Sequence, residues 1–593
     1  MGLSCREGSW GLHEAMPRAL NISVGQFSDQ GRKDTNQDFH GVLIPDEPLL
    51  GLKGIAVVLA DGISSSSVSR IAAESAVKSF LTDYYCTSES WSVKSSAQRV
   101  LEATNSWLHA QTRRSQNPYD KDKGYVCTLS ALVIRSTTAH LFHVGDSRIY
   151  RVAGNSLEQL TNDHRVVVSS QQSYLGRALG VNPQLEIDYQ NLPLERGDTF
   201  LLVTDGVYEH VPARQLARTI RDGAADLDAA AKSIVEQAYE NGSPDNLTAQ
   251  IIRIDELPDG DAGEVFGQPT GLPLPPLLEA RMLFDGYRIV RELHASHRSH
   301  IYLAVDEDSG TTVTIKIPSI DLRDDGAYLK RFMMEEWVAR RIDSPHVLKP
   351  FLPPRRRNFL YVTMEYIDGQ TLTQWMIDNP APSLETARDI TEQIARGLRA
   401  FHRKEMLHQD VRPDNIMIDK TGTVKIIDFG STRIAGVAEA VAAGVDDILG
   451  TQQYTAPEYF LGEGGTARSD LFSLGVVTYQ MLTGRLPYGA QIARARTRSE
   501  FNRLLYRPAA HGGREIPRWV DGTLERAVHV NPLKRYDSFS EFLFDLRNPN
   551  ARYLATSSTP LIERNPVLFW KSTTLLLALV VLLLLAYGAH HWR

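Results

Sequence analysis

The apolar and polar positions of residues 18–255 recur in two patterns. Short apolar runs end at Asp-Gly, as in residues 57–62 and 201–206. Between such runs, residues 68–81 and 225–239 carry apolar side chains at helical spacing. Apolar runs bounded by turn residues are typical of strands, and a period near 3.6 is typical of helices. This region is therefore predicted to be an α+β domain with sheets inside and helices outside.

A second patterned region covers about residues 281–548. Residues 287–317 alternate between apolar and polar positions as strands do, whereas the apolar positions of residues 387–401 recur at helical spacing. A mostly β segment that passes into a mostly helical one predicts a two-lobed domain. Between the two regions, residues 256–280 are rich in Pro and Gly and lose the periodic pattern, so a linker is predicted there.

The end of the sequence is strongly apolar. Residues 572–589 are an 18-residue run without a charge, which as a helix would reach about 27 Å, close to the hydrocarbon thickness of a bilayer. Trp570 and Trp592 flank this run, as interfacial anchors do. We predict a membrane-spanning helix over residues 568–589 that acts as a tail anchor, after a juxtamembrane segment of residues 549–567.

Length, net charge and cysteine spacing limit the kinds of protein that this chain could be. A chain of 593 residues is too long for a single core, so several domains are expected. The formal charge of -7 does not show the excess of basic residues that nucleic-acid-binding proteins usually have, so no nucleic-acid partner is expected. The one marked basic run, residues 355–357, is interpreted as a solvated hairpin tip. Cys5, Cys86 and Cys127 have no paired spacing, which favours a reducing compartment and argues against structural zinc.

Polar side chains that could handle protons or metal ions follow short apolar runs in the second domain. Asp410, Asn415 and Asp428 lie on loops beside such runs, and buried strands that end in carboxylates are costly unless a cation or a reacting hydroxyl meets them. In order and spacing these loops match those of protein kinases, and residues 281–548 resemble eukaryotic-like serine/threonine kinases. The resemblance implies that Asp410 accepts the proton of the substrate hydroxyl and that Asn415 and Asp428 hold Mg²⁺.

The nucleotide-binding part of this resemblance has both agreements and departures. Lys316 would neutralise the phosphates of ATP, and Glu335 would pair with Lys316. The aligned phosphate-covering loop, residues 293–302, contains no glycine, and Gln409 stands where many kinases carry an arginine that receives a phosphorylated activation loop. We therefore expect activity to depend weakly on activation-loop phosphorylation. A pseudokinase or nucleotide-binding scaffold remains the alternative to an active kinase.

Positions downstream agree with the kinase resemblance. Glu458 closes the activation segment, Arg535 lies where the family's arginine pairs with that glutamate, and Asp470 matches the aspartate that holds the catalytic loop. Arg412 stands where serine/threonine kinases typically carry a lysine, and it is assigned to the catalytic residues together with Asp410. Thr451 also fits the serine/threonine class. The expected acceptor is therefore Ser or Thr in proteins.

Acidic motifs in the first domain form a second recognisable set. In chain order they are Asn36-Gln37-Asp38, Asp61-Gly62, Val144-Gly145-Asp146-Ser147-Arg148, Asp205-Gly206 and Asp245-Asn246-Leu247-Thr248. Together they resemble the metal-dependent serine/threonine phosphatases of type 2C (PPM) over about residues 20–254. The resemblance implies an α+β fold built on a β-sandwich with flanking helices.

The same resemblance implies a site for two or three ions of Mn²⁺ or Mg²⁺, which prefer oxygen ligands. Its ligands would be Asp38 and Asp61 bridging two ions, Gly62 through its carbonyl, Asp205 and Asp245 completing the pair, and Asp146 beside a looser third ion. The motifs contain no cysteine, which excludes a phosphocysteine mechanism. A basic side chain should grip the phosphate, and the sequence leaves Arg32 and Lys33 open as candidates.

These features together predict a membrane-anchored bifunctional enzyme. One domain would transfer phosphate from ATP to Ser or Thr of proteins, and the other would remove it. Both domains are expected in the cytoplasm, because ATP is there and Arg564 and Lys571 precede the apolar helix. The alternative is an active phosphatase fused to a kinase-like scaffold.

Overall fold

Over its described residues, the first domain has two five-stranded antiparallel sheets, a two-stranded ladder and six α-helices. The computed structural model describes residues 19–169, 172–258, 272–296, 298–323, 325–437, 452–509, 516–550, 553 and 566–591. The strands are β1 (Asn21–Asp29), β2 (Asp38–Leu43), β3 (Ile55–Asp61), β4 (Leu129–Arg135), β5 (Thr138–Val144), β6 (Arg148–Ala153), β7 (Ser156–Gln159), β8 (Arg165–Ser169), β9 (Gln172–Leu175), β10 (Asp188–Pro193), β11 (Thr199–Val203) and β12 (Leu247–Glu256). The helices are α1 (Leu49–Lys53), α2 (Ser69–Asp83), α3 (Val93–Arg114), α4 (Asp205–Tyr208), α5 (Ala213–Asp222) and α6 (Leu227–Glu240).

The two five-stranded sheets pack face to face, in the orders β1-β12-β11-β6-β7 and β10-β5-β4-β3-β2. Successive side chains of a strand point to opposite faces, so a strand buried on both faces is apolar throughout. In β3, Ile55 and Val57 fill the space between the sheets, whereas Ala56 and Val58 pack under α2 and α3. Helices α5 and α6 cover the opposite outer face. The predicted α+β fold, a β-sandwich with flanking helices, is confirmed.

The second domain has a strand-rich lobe and a helical lobe. Its strands are β13 (Leu283–Phe284), β14 (Tyr287–Ala295), β15 (Ser299–Asp306), β16 (Thr312–Pro318), β17 (Val362–Glu365), β18 (Gly369–Thr371), β19 (Met406–Leu407), β20 (Ile416–Asp419), β21 (Val424–Ile426) and β22 (Arg433–Ile434). Its helices are α7 (Gly326–Arg341), α8 (Leu372–Asp378), α9 (Leu384–Arg403), α10 (Pro457–Phe460), α11 (Ala467–Thr483), α12 (Arg498–Asn502), α13 (Arg518–Ala527) and α14 (Phe539–Arg547). The last helix of the chain is α15 (Pro566–His591).

Strands β13 to β17 form one antiparallel sheet in chain order, and α7 is the helix of this first lobe. Helix α9 is the buried helix that the spacing of residues 387–401 predicted, and Ile394, Leu398 and Phe401 are fully buried in it. Two small ladders, β18-β20-β21 and β19-β22, frame the loops between the lobes. The predicted two-lobed α+β fold is confirmed.

Two regions differ from their sequence interpretation. The second half of the predicted linker packs on the first lobe, because Leu278 is buried in its core and the Leu360 amide donates to the Pro273 carbonyl at 2.9 Å. The interpretation of residues 355–357 as a solvated tip is wrong. Arg355 lies over the ring of Tyr287, and Arg357 is buried in an ion-pair network. Long arginine side chains bury readily when acidic partners meet them, and those partners are remote in sequence.

The two domains are packed against one another. The buried apolar cluster under α2 and α3 continues into the second domain at α7. Trp91 of the first domain meets Trp337 of α7 edge to face, with ring centroids 5.6 Å apart. Aromatic pairs in this geometry stabilise an interface by more than their buried apolar area alone would.

The C-terminal apolar helix is separate from both cores. Residues 567–585 of α15 have the length and composition needed to cross a membrane, and none of this window is buried in the protein. By length and composition this helix is a candidate membrane span.

Candidate active sites

The first candidate site is built around a pair of carboxylates at one end of the sandwich. The pairing of β2 with β3 sets Asp38 opposite Asp61. Asp38 is buried, and its Oδ2 accepts hydrogen bonds from Thr204 Oγ1 at 3.0 Å and Thr248 Oγ1 at 2.6 Å. Its buried Oδ1 has no hydrogen-bond partner among the residues that the structure describes. A buried acceptor without a donor suits a cation ligand.

Electrostatic repulsion links this pair to other acidic side chains. Burial raises the pKa of Asp38 to about 6. Burial, followed by repulsion from Asp38, Asp205, Asp146 and Asp245, raises the pKa of Asp61 well above its usual range. Burial, followed by Asp146 and Asp245, raises the pKa of Asp205 to about 7. These five predicted ligands therefore lie within electrostatic reach of one another, and oxygen-rich, negatively charged sites suit Mn²⁺ or Mg²⁺.

The carboxylates do not close around a single point. Within the described ranges, three or more His, Cys, Asp or Glu side chains nowhere meet as one compact ion site. Hard divalent ions keep several waters and need few protein ligands each.

Gly62, the predicted carbonyl ligand, occupies a place that admits no side chain. A Cβ atom there would come within 2.7 Å of the Ser69 carbonyl oxygen and 2.9 Å of the Gln37 carbonyl oxygen. The Gly62 amide donates to the Gln37 carbonyl at 3.2 Å. Close backbone packing therefore requires glycine beside Asp61.

An arginine that sequence reasoning missed holds the acidic side chains at the other edge of the site. Arg165 donates from Nε to Asp146 Oδ2 at 2.6 Å, from Nη2 to Asp205 Oδ2 at 2.7 Å and from Nη1 to Glu209 Oε1 at 2.5 Å. The planar guanidinium can orient several carboxylates at once. No local pattern marks Arg165, because its partners lie 19, 40 and 44 residues away.

Lys33 and Arg32, the alternatives for gripping phosphate, have different surroundings. Lys33 Nζ forms an ion pair with Asp245 and donates to Ser64 Oγ at 2.5 Å, so it lies in the acidic site. Arg32 donates to the carbonyls of Ser243 at 2.9 Å and Tyr239 at 3.1 Å. The geometry favours Lys33 as the phosphate-binding side chain and gives Arg32 a structural position.

The second candidate site lies between the two lobes of the second domain. Lys316 of β16 donates from Nζ to both carboxylate oxygens of Glu335 on α7, at 2.7 Å each, and Asp428 Oδ1 lies 3.7 Å from the same Nζ. Burial alone would lower the pKa of Lys316, but Asp428 and Glu335 raise it above its usual range. Lys316 therefore stays charged beside two anions, as an ATP-binding lysine must.

The loop that carries Asp410 is held by its own side chains. Asn415 Nδ2 donates to Asp410 Oδ2 at 2.8 Å and to the Asp410 carbonyl at 3.0 Å. Arg412 Nε lies 3.6 Å from Asp410 Oδ2. Burial raises the pKa of Asp410, and Arg412 partly opposes this shift. A carboxylate with a raised pKa is a better proton acceptor for a hydroxyl.

Asp470 fixes the backbone of this loop. Its carboxylate accepts from the amides of His408 and Gln409, both at 3.0 Å, and from His402 Nε2 at 2.8 Å. Gln409 has a φ of 67°, a conformation that costs energy for residues other than glycine. The buried carboxylate therefore stabilises a strained turn immediately before Asp410.

The structure also describes the Glu458–Arg535 pair and the glycine-free loop of the kinase-like domain. Arg535 donates to both oxygens of Glu458, at 2.7 and 2.8 Å, as the sequence predicted. The glycine-free loop is a short hairpin in which the Ser296 amide donates to the Ser299 carbonyl at 3.0 Å. The Arg298 carbonyl accepts from the Ser319 amide at 2.9 Å, so the hairpin tip is tied to the segment before α7. Thr451 lies outside the described residues.

Comparison with known families identifies both domains. Residues 28–249 match the family described as protein phosphatase 2C, and residues 287–543 match the protein kinase domain. The chain is 27% identical to the serine/threonine-protein kinase PrkC of Bacillus subtilis over 279 residues, which is 46% of this chain and 41% of PrkC. It is 35% identical to the kinase PknA of Corynebacterium glutamicum over 207 residues, 34% of this chain and 44% of PknA. The match thus spans about two fifths of each relative's length.

Solved structures of both kinds of domain align with parts of this chain. The serine/threonine phosphatase PstP/Ppp of Mycobacterium tuberculosis aligns with a TM-score of 0.34 and 21% identity, over 40% of this chain and 99% of that structure. The PknI kinase domain of the same organism aligns with a TM-score of 0.36 and 25% identity, over 46% of this chain and 98% of that structure. From the family matches, the chain contains a protein phosphatase 2C domain followed by a protein kinase domain.

Proposed function

We propose that this protein is a membrane-anchored bifunctional enzyme that phosphorylates Ser and Thr of proteins and also hydrolyses phosphoserine and phosphothreonine. The observation that carries the kinase half is the formed ion pair between Lys316 and Glu335 beside Asp428. A scaffold that only binds partners has no need for this costly buried group of charges. The glycine-free loop alters the cover of the nucleotide and leaves these groups in place.

In the kinase reaction, Asn415 and Asp428 would hold Mg²⁺ on ATP, which neutralises charge on the transferred phosphoryl group. Lys316 binds the α- and β-phosphates, and Glu335 fixes the direction of its side chain. Asp410 accepts the proton of the Ser or Thr hydroxyl, while Asn415 and Arg412 lie beside the Asp410 carboxylate at 2.8 and 3.6 Å.

In the phosphatase reaction, Mn²⁺ or Mg²⁺ ions bound by the six predicted ligands would supply a water of lowered pKa and screen the phosphate. Thr204 and Thr248 leave Asp38 Oδ1 free for the ions. Lys33 provides a cation for the phosphate dianion, and Arg165 fixes Asp146 and Asp205. The reaction needs no covalent enzyme intermediate.

The test of this proposal separates the two activities. In a chain with Asp38→Ala, which stops removal of phosphate, incorporation of labelled phosphate from ATP into a protein substrate should be readily measured. The same chain with Asp410→Ala should lose nearly all of it, about 10³-fold or more. Asp389→Ala, an exposed aspartate of α9 that pairs with Arg547, is the matched control and should keep the rate. No incorporation by the Asp38→Ala chain would favour the scaffold alternative.

A further inference from the structure

The turn between α2 and α3 of the phosphatase domain covers the back of kinase helix α7. Trp337 of α7 is fully buried and contacts Trp91 of this turn. Residues of an α-helix are about 100° apart around its axis, so Trp337 and Glu335 lie about 160° apart, on opposite faces. The phosphatase domain therefore contacts the face of α7 that points away from Lys316.

A buried ion pair joins the domains on the same face. Arg341 donates from Nε to Asp83 Oδ2 at 2.9 Å, and its Nη2 lies 2.8 Å from the same oxygen. Both side chains are 5% exposed. Arg341 is one helical turn after Trp337, and its guanidinium lies 4.7 Å from the centre of that ring. One phosphatase carboxylate thus neutralises a buried cation at the end of α7.

A second group of charges lies beside the first. Glu89 of the phosphatase turn is 3.3 Å from Arg357 Nη2, and Arg357 is 2.9 Å from Glu336 of α7. Arg340 pairs with Glu336 on the helix. Two acidic and two basic side chains are therefore buried together, and Glu89 supplies half of the negative charge from the other domain.

Helix α3 reaches two more kinase elements. Gly436, eight residues after Asp428, packs so closely that a Cβ atom would lie 2.7 Å from the Glu102 carbonyl oxygen of α3. Arg114 at the end of α3 donates to Glu405, just before β19, at 2.5 and 3.1 Å. The interface thus includes α7, the start of the activation segment and the approach to the catalytic loop.

We propose that the phosphatase domain positions the kinase active site, with Asp83, Glu89 and Trp91 acting as positioning residues that hold α7 so that Glu335 meets Lys316. This proposal rests on the kinase activity proposed above. Gln409 carries no charge, so this position cannot pair with a phosphorylated activation loop. Contact with the phosphatase domain supplies an ordering force that needs no phosphorylation.

A charge swap in the full chain tests the proposal. All kinase assays use the Asp38→Ala background, so that product is not hydrolysed. Asp83→Arg should lower kinase kcat/KM about tenfold or more, because it leaves Arg341 buried without an anion. Arg341→Asp should do the same, and the double variant Asp83→Arg/Arg341→Asp should recover most of the rate. Glu74→Arg makes the same charge change on the solvent side of α2, where Glu74 pairs with Lys78, and should have little effect.

A second readout separates positioning from damage to the fold. In the Asp83→Arg chain, KM for ATP should rise as kcat falls, because Glu335 no longer positions Lys316. With Asp38 intact, the Asp83→Arg chain should hydrolyse a small phosphomonoester at an unchanged rate. An active parent with an equally active Asp83→Arg chain would overturn the proposal, as would a double variant as slow as the single ones. A parent with no activity above Asp410→Ala would overturn the proposed kinase function and this inference with it.

Discussion

Three aspartates of the phosphatase site are buried close to other carboxylates. Asp38, Asp61 and Asp205 each have a raised pKa, with burial as the first cause. One pKa unit corresponds to about 1.4 kcal/mol of difference between the two protonation states. The folded domain therefore disfavours ionising these side chains together, and divalent cations would relieve the repulsion.

We predict that the phosphatase domain is less stable at higher pH when divalent ions are removed. In the folded state the pKa is about 6 for Asp38 and about 7 for Asp205, against 3.8 as the ordinary value. Over this range the folded state binds protons that the unfolded state has released, so the free energy of unfolding falls as the pH rises from about 4 to about 7. Calorimetry in a chelator should show a lower melting temperature at about pH 8 than at about pH 5.

Addition of Mn²⁺ should remove most of that loss, because bound cations favour the ionised carboxylates. Asp38→Asn should reduce the pH dependence, because it removes one of the titrating groups. An apo protein whose melting temperature rises over this pH range would contradict the interpretation of the site.

Lys33 and Arg32 provide a matched pair of variants for phosphate binding. We predict that Lys33→Ala lowers phosphatase kcat/KM about tenfold or more, because a charged donor to the phosphate is lost. Arg32→Ala should leave kcat/KM within about threefold and destabilise the domain by about 1 kcal/mol, because it removes hydrogen bonds to carbonyls. Steady-state kinetics with a phosphopeptide measure the first effect, and urea unfolding measures the second. The opposite ranking would assign the phosphate to Arg32.

At the scale of elements, the helices that apolar spacing predicted within the two domains are present in the structure. Helices α2 and α6 begin and end within two residues of the bounds that apolar spacing predicts. The basic run of residues 355–357 fails as a prediction, because Asp306, Glu89 and Glu336, which pair with its arginines, come from other elements. Acidic and basic residues can be read from a sequence, but their burial depends on partners brought by the fold.

The catalytic loop leads to a prediction about regulation. Gln409 is fixed by Asp470 through its backbone and carries no charge to receive a phosphate. Initial rates of the phosphorylated and fully dephosphorylated Asp38→Ala chains should therefore differ by less than about threefold. Gln409→Arg supplies the missing cation and should increase that difference. A large difference with Gln409 in place would contradict the prediction.

At the scale of the whole molecule, a protein phosphatase 2C domain and a protein kinase domain share one chain and one packed interface. The phosphatase site and the interface use different parts of the first domain: Asp38 and Asp61 lie at an end of the sandwich, whereas Asp83 and Trp91 lie at the turn after α2. Loss of phosphatase catalysis and loss of docking can therefore be separated by mutation.

We predict that α15 holds the chain in a membrane with both domains on the cytoplasmic side. The window of residues 567–585 is long and apolar enough to span. In the sequence, Arg564 precedes this window and Lys571 lies near its start, on the side of the chain that leads to the catalytic domains. In sealed vesicles with the cytoplasmic side inside, both domains should resist an added protease and become sensitive after detergent. Digestion before detergent would refute this orientation, and removal of residues 566–591 should release the protein from membranes.

The sequence by itself determined the order of the domains, their fold classes, the apolar helix and the main acidic side chains, because periodicity and motif spacing are local properties. Tertiary structure alone decided the partners: Arg165 across three acidic residues, Lys33 at Asp245 and Arg341 at Asp83. Each pair joins residues remote in the chain, and burial and opposite charge bring them together only after folding. The same is true of the contact that joins the phosphatase domain to α7.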